Sequence, residues 1–508
     1  MSIAYQRYDE PGVAPSLRSS YRTINDLLDA SLRQHGSEAA TTFVLGNRWE
    51  GRRRLGGKLD YWRLGRHVER FANALSQLGV RKGDRVALVL PSSPQYIIAF
   101  FGAVQIGAIV VNCDPSAPAD DTAERLADSG AETIVLLDML WPALRPGRHA
   151  TALKRAVVVT LDETLSWLDR QLVFYASHGS LRRIDVPRDD HIFFFRDMLR
   201  FQAPPPPPTA IAPSDPALLQ YTGGSEPCIR AATLTHANLV SNALQCLEVV
   251  FEGANLYNRE RVLSAVPFHE IYGLQAGMLC PLALGAELVI VPDPQPVEEI
   301  LAAARREHVT RYCATPAHYG TIVDHHQGCI GELGTVTGWH SGPTPLPREV
   351  HDRFQALTQQ RIIAGFGLTE CAPLTHSATR DGQAKPGSIG RLLPATAGRL
   401  VDPVSGGDLQ SDGRDHGELL IRGPQVMQGY WQQPAMTARA IDADGWLHTG
   451  LCCTVDGDGD FFITGQVEDI AVRSVLPGGP GIRPATIACG SAQPTNDETH
   501  TKEYGHDL

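Results

Sequence analysis

Short, unbroken apolar strands alternating with helices constrain this chain more than any other feature of its 508 residues. Arg85-Val86-Ala87-Leu88-Val89-Leu90 reads as a strand, Pro91-Ser92-Ser93-Pro94 as a turn, and the apolar run to Gly107 as a helix. Ala108-Ile109-Val110-Val111-Asn112 is the next strand. A helix over Thr122–Ser129 and a strand over Thr133-Ile134-Val135-Leu136-Leu137 repeat the unit. Strands that are apolar on both faces have no side to turn to water, so they belong in a parallel sheet covered by helices above and below. A second series runs from about Leu218 to Ala364 and includes Glu287-Leu288-Val289-Ile290-Val291. The fold class expected is α/β, with two packed α/β subdomains, parallel sheets, and ligands in the crevice at the strand carboxyl ends. After Gly387 the texture changes to short strands and Gly/Asp turns, such as Glu418-Leu419-Leu420-Ile421 and Asp456-Gly457-Asp458-Gly459. This predicts a small β-barrel-like subdomain to about Ile463. The chain then divides into 1–216, 217–386, 387–464 and a polar stretch 465–508.

Composition narrows the partners. A formal net charge of −11 with 20% charged residues implies no basic face, which argues against nucleic acid. No apolar run reaches transmembrane length and Met1 to Glu10 is polar, so neither a membrane span nor a signal peptide is expected. The ten cysteines are scattered without a CxxC pair, which favours reduced thiols and a cytoplasmic location over a disulfide or zinc framework. Pro204 to Pro208 reads as a stiff polyproline spacer, Arg52-Arg53-Arg54 as a solvated turn, and His325-His326 as a surface pair lacking a third ligand.

The chemistry concentrates in Tyr221-Thr222-Gly223-Gly224-Ser225-Glu226-Pro227-Cys228-Ile229-Arg230, followed by Leu234-Thr235-His236. Bare backbone N–H groups of a glycine-rich loop close around phosphate oxygens. The run resembles the phosphate loop of the acyl-adenylate-forming enzymes, which include acyl-CoA synthetases, luciferases and peptide-synthetase adenylation domains. Where that family carries Thr-Gly-x-Pro-Lys-Gly, this chain has Glu226-Pro227-Cys228-Ile229-Arg230-Ala231 at the same length. Pro227 removes an N–H and fixes φ, Ala231 replaces a glycine, and Glu226 adds negative charge beside a polyphosphate. Further landmarks follow in family order: Gly83-Asp84-Arg85-Val86-Ala87, Gly365-Phe366-Gly367-Leu368-Thr369-Glu370, Gly417-Glu418-Leu419-Leu420-Ile421-Arg422-Gly423, Gly429-Tyr430-Trp431 and Asp444-Gly445-Trp446-Leu447-His448-Thr449-Gly450. The wording is most similar to the bacterial fatty-acyl-CoA synthetase branch.

The resemblance implies roles for single residues. Gly223, Gly224, Ser225 and Arg230 would face the nucleotide phosphates. Gly342, Pro343 and Thr344 would present backbone to the adenine, with Phe366 and Gly367 beside it. Thr369 and Glu370 would be the catalytic pair, Thr369 touching phosphate and Glu370 holding Mg²⁺. His269, Glu270, Tyr272, Gly273, Gly365 and Leu368 would line the acid substrate. Against this background several positions depart from the pattern. The family's ribose-binding aspartate is Leu451 here, and its Asp-Arg before the hinge reads Gly465-Gln466. The imidazole expected beside the substrate carboxylate is displaced from position 270 to His269, so Glu270 has to be protonated or turned away for an acid to sit there. Only 44 residues follow Thr464, where the family carries a mobile C-terminal domain; the expectation is that this domain is truncated or absent. Lys502, the one lysine in that stretch, lacks the family's surrounding motif.

The function expected is an acyl-CoA ligase-like enzyme that binds a carboxylic acid or its acyl-adenylate, deficient in adenylation, and acts in the step from acyl-AMP to a CoA thioester. Acyl-AMP or AMP and CoA, or another pantetheine thiol, would be its ligands, with ATP and Mg²⁺ only if adenylation is retained. A partner adenylating homologue could supply the adenylate. The alternatives are a complete ATP-dependent acid–CoA ligase in which Arg230 replaces the loop lysine, and a non-catalytic acyl- or adenylate-binding protein.

Overall fold

The computed structural model describes residues 21–45, 56–146, 151–165, 186–200, 209–222, 229–251, 260–292, 296–325, 333–378, 385, 387–409 and 416–467. Helix α1 (Ile24–His35) leads into strands β1 (Ala39–Val44) and β2 (Gly56–Asp60), then helix α2 (Tyr61–Gln77). The first βα series follows: β3 (Arg85–Val89), α3 (Pro94–Gln105), β4 (Ile109–Asn112), α4 (Ala119–Ser129), β5 (Thr133–Leu137), β6 (Arg155–Val159), β7 (Ile192–Phe194), β8 (Pro216–Tyr221) and β9 (Ala231–Thr235). The second contributes β10 (Arg261–Ser264), β11 (Glu287–Ile290), β12 (Arg311–Ala314), β13 (Gly338–Ser341), β14 (Ile362–Gly367), β15 (Leu374–Ser377) and β16 (Arg391–Leu392). The last strands are β17 (Ala397–Val401), β18 (Gly417–Arg422), β19 (Gly429–Tyr430), β20 (Leu447–Val455) and β21 (Phe461–Gln466).

These strands build an eight-stranded sheet in the order β19-β9-β8-β4-β3-β5-β6-β7 and a nine-stranded sheet in the order β16-β15-β14-β13-β12-β10-β11-β1-β2. A four-stranded antiparallel sheet, β17-β18-β20-β21, completes the architecture. The sheets interleave along the chain. β1 and β2 join the second series because Thr41, Thr42 and Phe43 pair in parallel with Leu288, Val289 and Ile290. β8 belongs to the first sheet, its Leu218 and Leu219 in parallel register with Val110 and Val111, although the sequence places Leu218 at the start of the second series.

Burial explains the strand sequences. In β4 and β5 every residue is buried, as a strand sandwiched between helix layers must be. Helix α3 is apolar all round and buried from Pro94 to Val104, which fits a helix enclosed between two sheets. Ser93 accepts a hydrogen bond from the Tyr96 N–H and Pro94 occupies the first turn, so the helix starts where its orphan donors are answered. One continuous core joins residues of both large sheets, from Val86 and Val110 to Leu274 and Phe366, and smaller cores cover the outer faces. Among the described residues no helix is long and apolar enough to cross a membrane, and seven cysteines are buried.

Two histidines sit inside this packing, His340 on β13 and His376 on β15, both fully buried. Among the described residues neither ring nitrogen of His340 has a hydrogen-bond partner, and Nε2 of His376 has none. Burial holds both imidazoles neutral, with pKa values pushed down to about 3. The unfolded chain binds protons at these rings below the ordinary histidine pKa of about 6.5, whereas the folded chain does not. The stability these two rings contribute is therefore complete above about pH 6.5 and falls as the pH drops toward 3; at pH 5 each ring is expected to cost about 2 kcal/mol. Urea midpoints measured between pH 7.5 and 5 test this, and His340→Phe should make the dependence shallower by one ring's share. A midpoint independent of pH over that range contradicts it.

Candidate functional site

The glycine-rich segment is the connection of the β8–β9 hairpin. Thr222 N–H donates to the Arg230 carbonyl at 2.9 Å, which closes the hairpin at its mouth. Gly223, Gly224 and Ser225, with Glu226, Pro227 and Cys228, lie outside the described residues. Arg230 does not. Its guanidinium lies over the Tyr430 ring, 5.5 Å from the centroid, an arrangement favoured by the ring's negative face. The Tyr430 hydroxyl donates in turn to Glu370 Oε1 at 2.7 Å. Backbone bonds lock this trio: Trp431 N–H to the Ala231 carbonyl at 2.8 Å, Met427 N–H to the Glu370 carbonyl at 2.7 Å, and Gln433 Nε2 to the Ile229 carbonyl at 3.1 Å. The Gly429-Tyr430-Trp431 landmark thus has a mechanical role that its sequence did not disclose. Tyr430 bridges the β8–β9 hairpin to the turn carrying Glu370.

That turn joins β14 to β15. Gly365, Phe366 and Gly367 end β14; Leu368, Thr369 and Glu370 follow, with Thr369 and Glu370 in a single helical turn. Gly367 N–H donates to the Pro343 carbonyl at 3.0 Å, so the Gly342-Pro343-Thr344 segment after β13 lies directly against it. Gly367 has to be glycine: a Cβ there would stand 1.9 Å from the Pro373 carbonyl oxygen. A Cβ on Gly342 would press on the Tyr272 ring at 2.8 Å, so Tyr272 supports the same loop from below. Ser341, at the end of β13, is buried. Phe366 is buried, its ring 6.1 Å from that of His376.

At the carboxyl ends of β4 and β8 a chain of polar groups fixes the proposed acid side. Gln220 Nε2 donates to the His269 carbonyl at 3.0 Å, Asn112 Nδ2 to Gln220 Oε1 at 2.9 Å, and the Tyr96 hydroxyl to Asn112 Oδ1 at 2.7 Å. The His269 ring is mostly buried, Nε2 lies 3.6 Å from Asp114 Oδ1, and Nδ1 has no hydrogen-bond partner among the described residues. Burial pushes its pKa down to about 4, so at neutral pH the ring carries no charge. Glu270 is exposed, and its carbonyl accepts the Leu274 N–H at 2.8 Å where the short helix Ile271–Leu274 begins. Gly273 is required by the backbone itself, since a Cβ would fall 2.0 Å from the Pro267 carbonyl oxygen. Neither Asn112 nor Gln220 has a role legible from the sequence; buried amides at strand ends are the signal that identifies them.

Leu451 and Gln466 turn out to be neighbours. They are direct partners across the β20–β21 ladder, and Leu451 packs on the main core. The hairpin abuts β15, where the Phe461 and His376 rings meet edge-on at 4.8 Å. Around it His448 Nδ1 approaches Glu418 Oε2 at 3.2 Å and Gly450 N–H donates to Glu418 Oε1 at 3.1 Å. The two departures from the family's ribose motif therefore form one cross-strand pair. The stretch from 468 to 508, including Lys502, lies outside the described residues.

No cluster of three or more metal-binding side chains occurs among the described residues. One carboxylate, Glu370, fits Mg²⁺ brought with a nucleotide, since Mg²⁺ binds through one or two carboxylates and the substrate's phosphates.

The AMP-binding enzyme family profile matches residues 28–431. A long-chain-fatty-acid–CoA ligase of Bacillus subtilis (strain 168) is 30% identical over 471 residues, 92% of this chain and 80% of the relative. A feruloyl-CoA synthase of an Amycolatopsis species is 31% identical over 436 residues, 85% of this chain and 77% of the relative. Among solved structures, an anthranilate CoA ligase in complex with anthranoyl-AMP superposes with a TM-score of 0.73 at 21% identity, covering 89% of this chain and 79% of the other. That likeness concerns the fold.

Proposed function

We infer the function from one premise: the chain belongs to the AMP-binding enzyme family. It is an acyl-CoA ligase-like enzyme of the adenylate-forming kind. Our finer reading is that it binds a carboxylic acid or its acyl-adenylate and acts chiefly in the second half-reaction. There a CoA thiol attacks the acyl-AMP carbonyl, the acyl–phosphate bond breaks, and the thioester, AMP and a proton are released. Adenylation is weakened, and a homologous enzyme supplies part of the adenylate. The observation that carries this reading is the Leu451–Gln466 pair, because a carboxylate there would accept charge-assisted hydrogen bonds from ribose and a leucine accepts none.

Glu370 would hold Mg²⁺ together with the nucleotide's phosphates, and the ion would supply neutralisation of phosphate charge. The acid to test first is a long-chain fatty acid, with ferulate as an aryl comparison, following the relatives' substrates. A complete ATP-dependent ligase is the second reading. It is favoured by the contact of Arg230 with Tyr430 and of Tyr430 with Glu370, which keeps a fixed cation and a carboxylate together at the phosphate hairpin.

Purified chain given acyl-AMP and CoA is expected to form thioester at least about tenfold faster than with acid, ATP·Mg²⁺ and CoA. Equal rates by both routes would establish the complete ligase. No thioester by either route would sink both readings.

A further inference from the structure

At the edge of the nine-stranded sheet, far from β14, β2 and the first turns of α2 enclose a cavity of about 550 Å³ with the 162–165 turn. Its floor is tight: a Cβ on Gly57 would lie 2.6 Å from the Thr164 carbonyl oxygen. Arg63, Arg66, His67 and Arg70 line one wall, spaced three, four and seven residues from the first, which places them on one face of the helix. Lys58 of β2 closes the side.

The positive charge here is only partly answered. Lys58 is held by Glu287 at 3.2 Å and Arg63 by Asp60 at 3.3 Å. Arg70 donates to a neutral group, the Leu199 carbonyl, at 3.1 Å. Arg66 has no ion-pair partner among the described residues. His67 and Thr164 are also on the lining. Guanidiniums presented as forks from one helix face form bidentate pairs with oxyanions, phosphate among them.

We propose that this cavity is a binding site for a small phosphorylated anion, held by Arg66, Arg63 and Arg70. Burial, and then the fields of Arg70, Arg66 and Arg63, hold the His67 pKa down to about 4, so at neutral pH the ring is uncharged and offers one donor and one acceptor. Glu163, also on the lining, has its carboxyl pushed up to about 8 by burial, and so does not cancel the cations near neutrality. The phosphate could belong to a soluble metabolite or to a lipid headgroup. The site lies apart from the β13–β14 edge and does not rest on the functional reading above.

Thermal unfolding of the full chain in inorganic phosphate, against chloride at equal ionic strength, tests the proposal. Phosphate is expected to raise the midpoint by about 2 °C or more. Arg66→Ala and the double variant Arg63→Ala with Arg66→Ala should lose the rise, and Arg66→Lys should keep part of it. Both changes replace exposed helix residues, so the fold should survive. Sedimentation with phosphatidic-acid vesicles, against phosphatidylcholine alone, separates the two sources; retention lost in the same variants assigns the anion to a headgroup. An identical phosphate shift in wild type and variants, or no shift and no retention, overturns the site.

Discussion

Leu451→Asp combined with Gln466→Arg is expected to tighten AMP binding by about 10- to 100-fold. The estimate follows from one or two charge-assisted hydrogen bonds to ribose at about 1.5 kcal/mol each, where 1.4 kcal/mol is a factor of ten. The two changes belong together. Leu451 packs partly against the core, so an aspartate alone would bring in a half-buried carboxylate. The register places residue 466 directly opposite, where an arginine can answer that charge. Titration calorimetry with AMP and with 2′,3′-dideoxy-AMP provides the reading. The gain should appear for AMP and vanish for the dideoxy analogue. If both nucleotides gain equally, the effect is general electrostatics, and the assignment of this pair to the sugar is wrong.

Much of the scaffold was legible because burial writes itself into composition. The strands Arg85–Val89, Ile109–Asn112 and Thr133–Leu137 appear where unbroken apolar runs place them, and α3 follows its Ser-Pro start. Sheet membership was not legible. Whether β8 joins β4 or opens a new sheet is decided by pairing between residues about a hundred positions apart, and local periodicity carries no information about it. The site shows the same division. Gly342, Gly365, Gly367 and Glu370 are set by local turn chemistry and do converge, whereas the Arg230–Tyr430–Glu370 contact joins three segments that only tertiary packing brings together. Likewise Leu451 and Gln466 read as two separate departures in the sequence and as a single cross-strand pair in the fold.

Arg230→Ala separates the two half-reactions. Removing a fixed positive group that stabilises developing charge slows chemistry by about 10²–10³-fold. That loss is expected in acid-dependent pyrophosphate release, measured in the Leu451→Asp, Gln466→Arg background so that the starting rate is high. Thioester formation from acyl-AMP and CoA contains no pyrophosphate, so the same substitution should leave it within about twofold. Tyr430→Phe serves as the companion, because it retains the ring beneath the guanidinium but removes the hydroxyl that donates to Glu370 at 2.7 Å. If Arg230 acts directly on phosphate, Tyr430→Phe costs less than Arg230→Ala. If the arginine serves mainly to hold Tyr430 and Glu370 in place, the two losses match. An equal fall of both half-reactions in Arg230→Ala would mean that the hairpin itself has collapsed, and the phosphate role of Arg230 would be withdrawn.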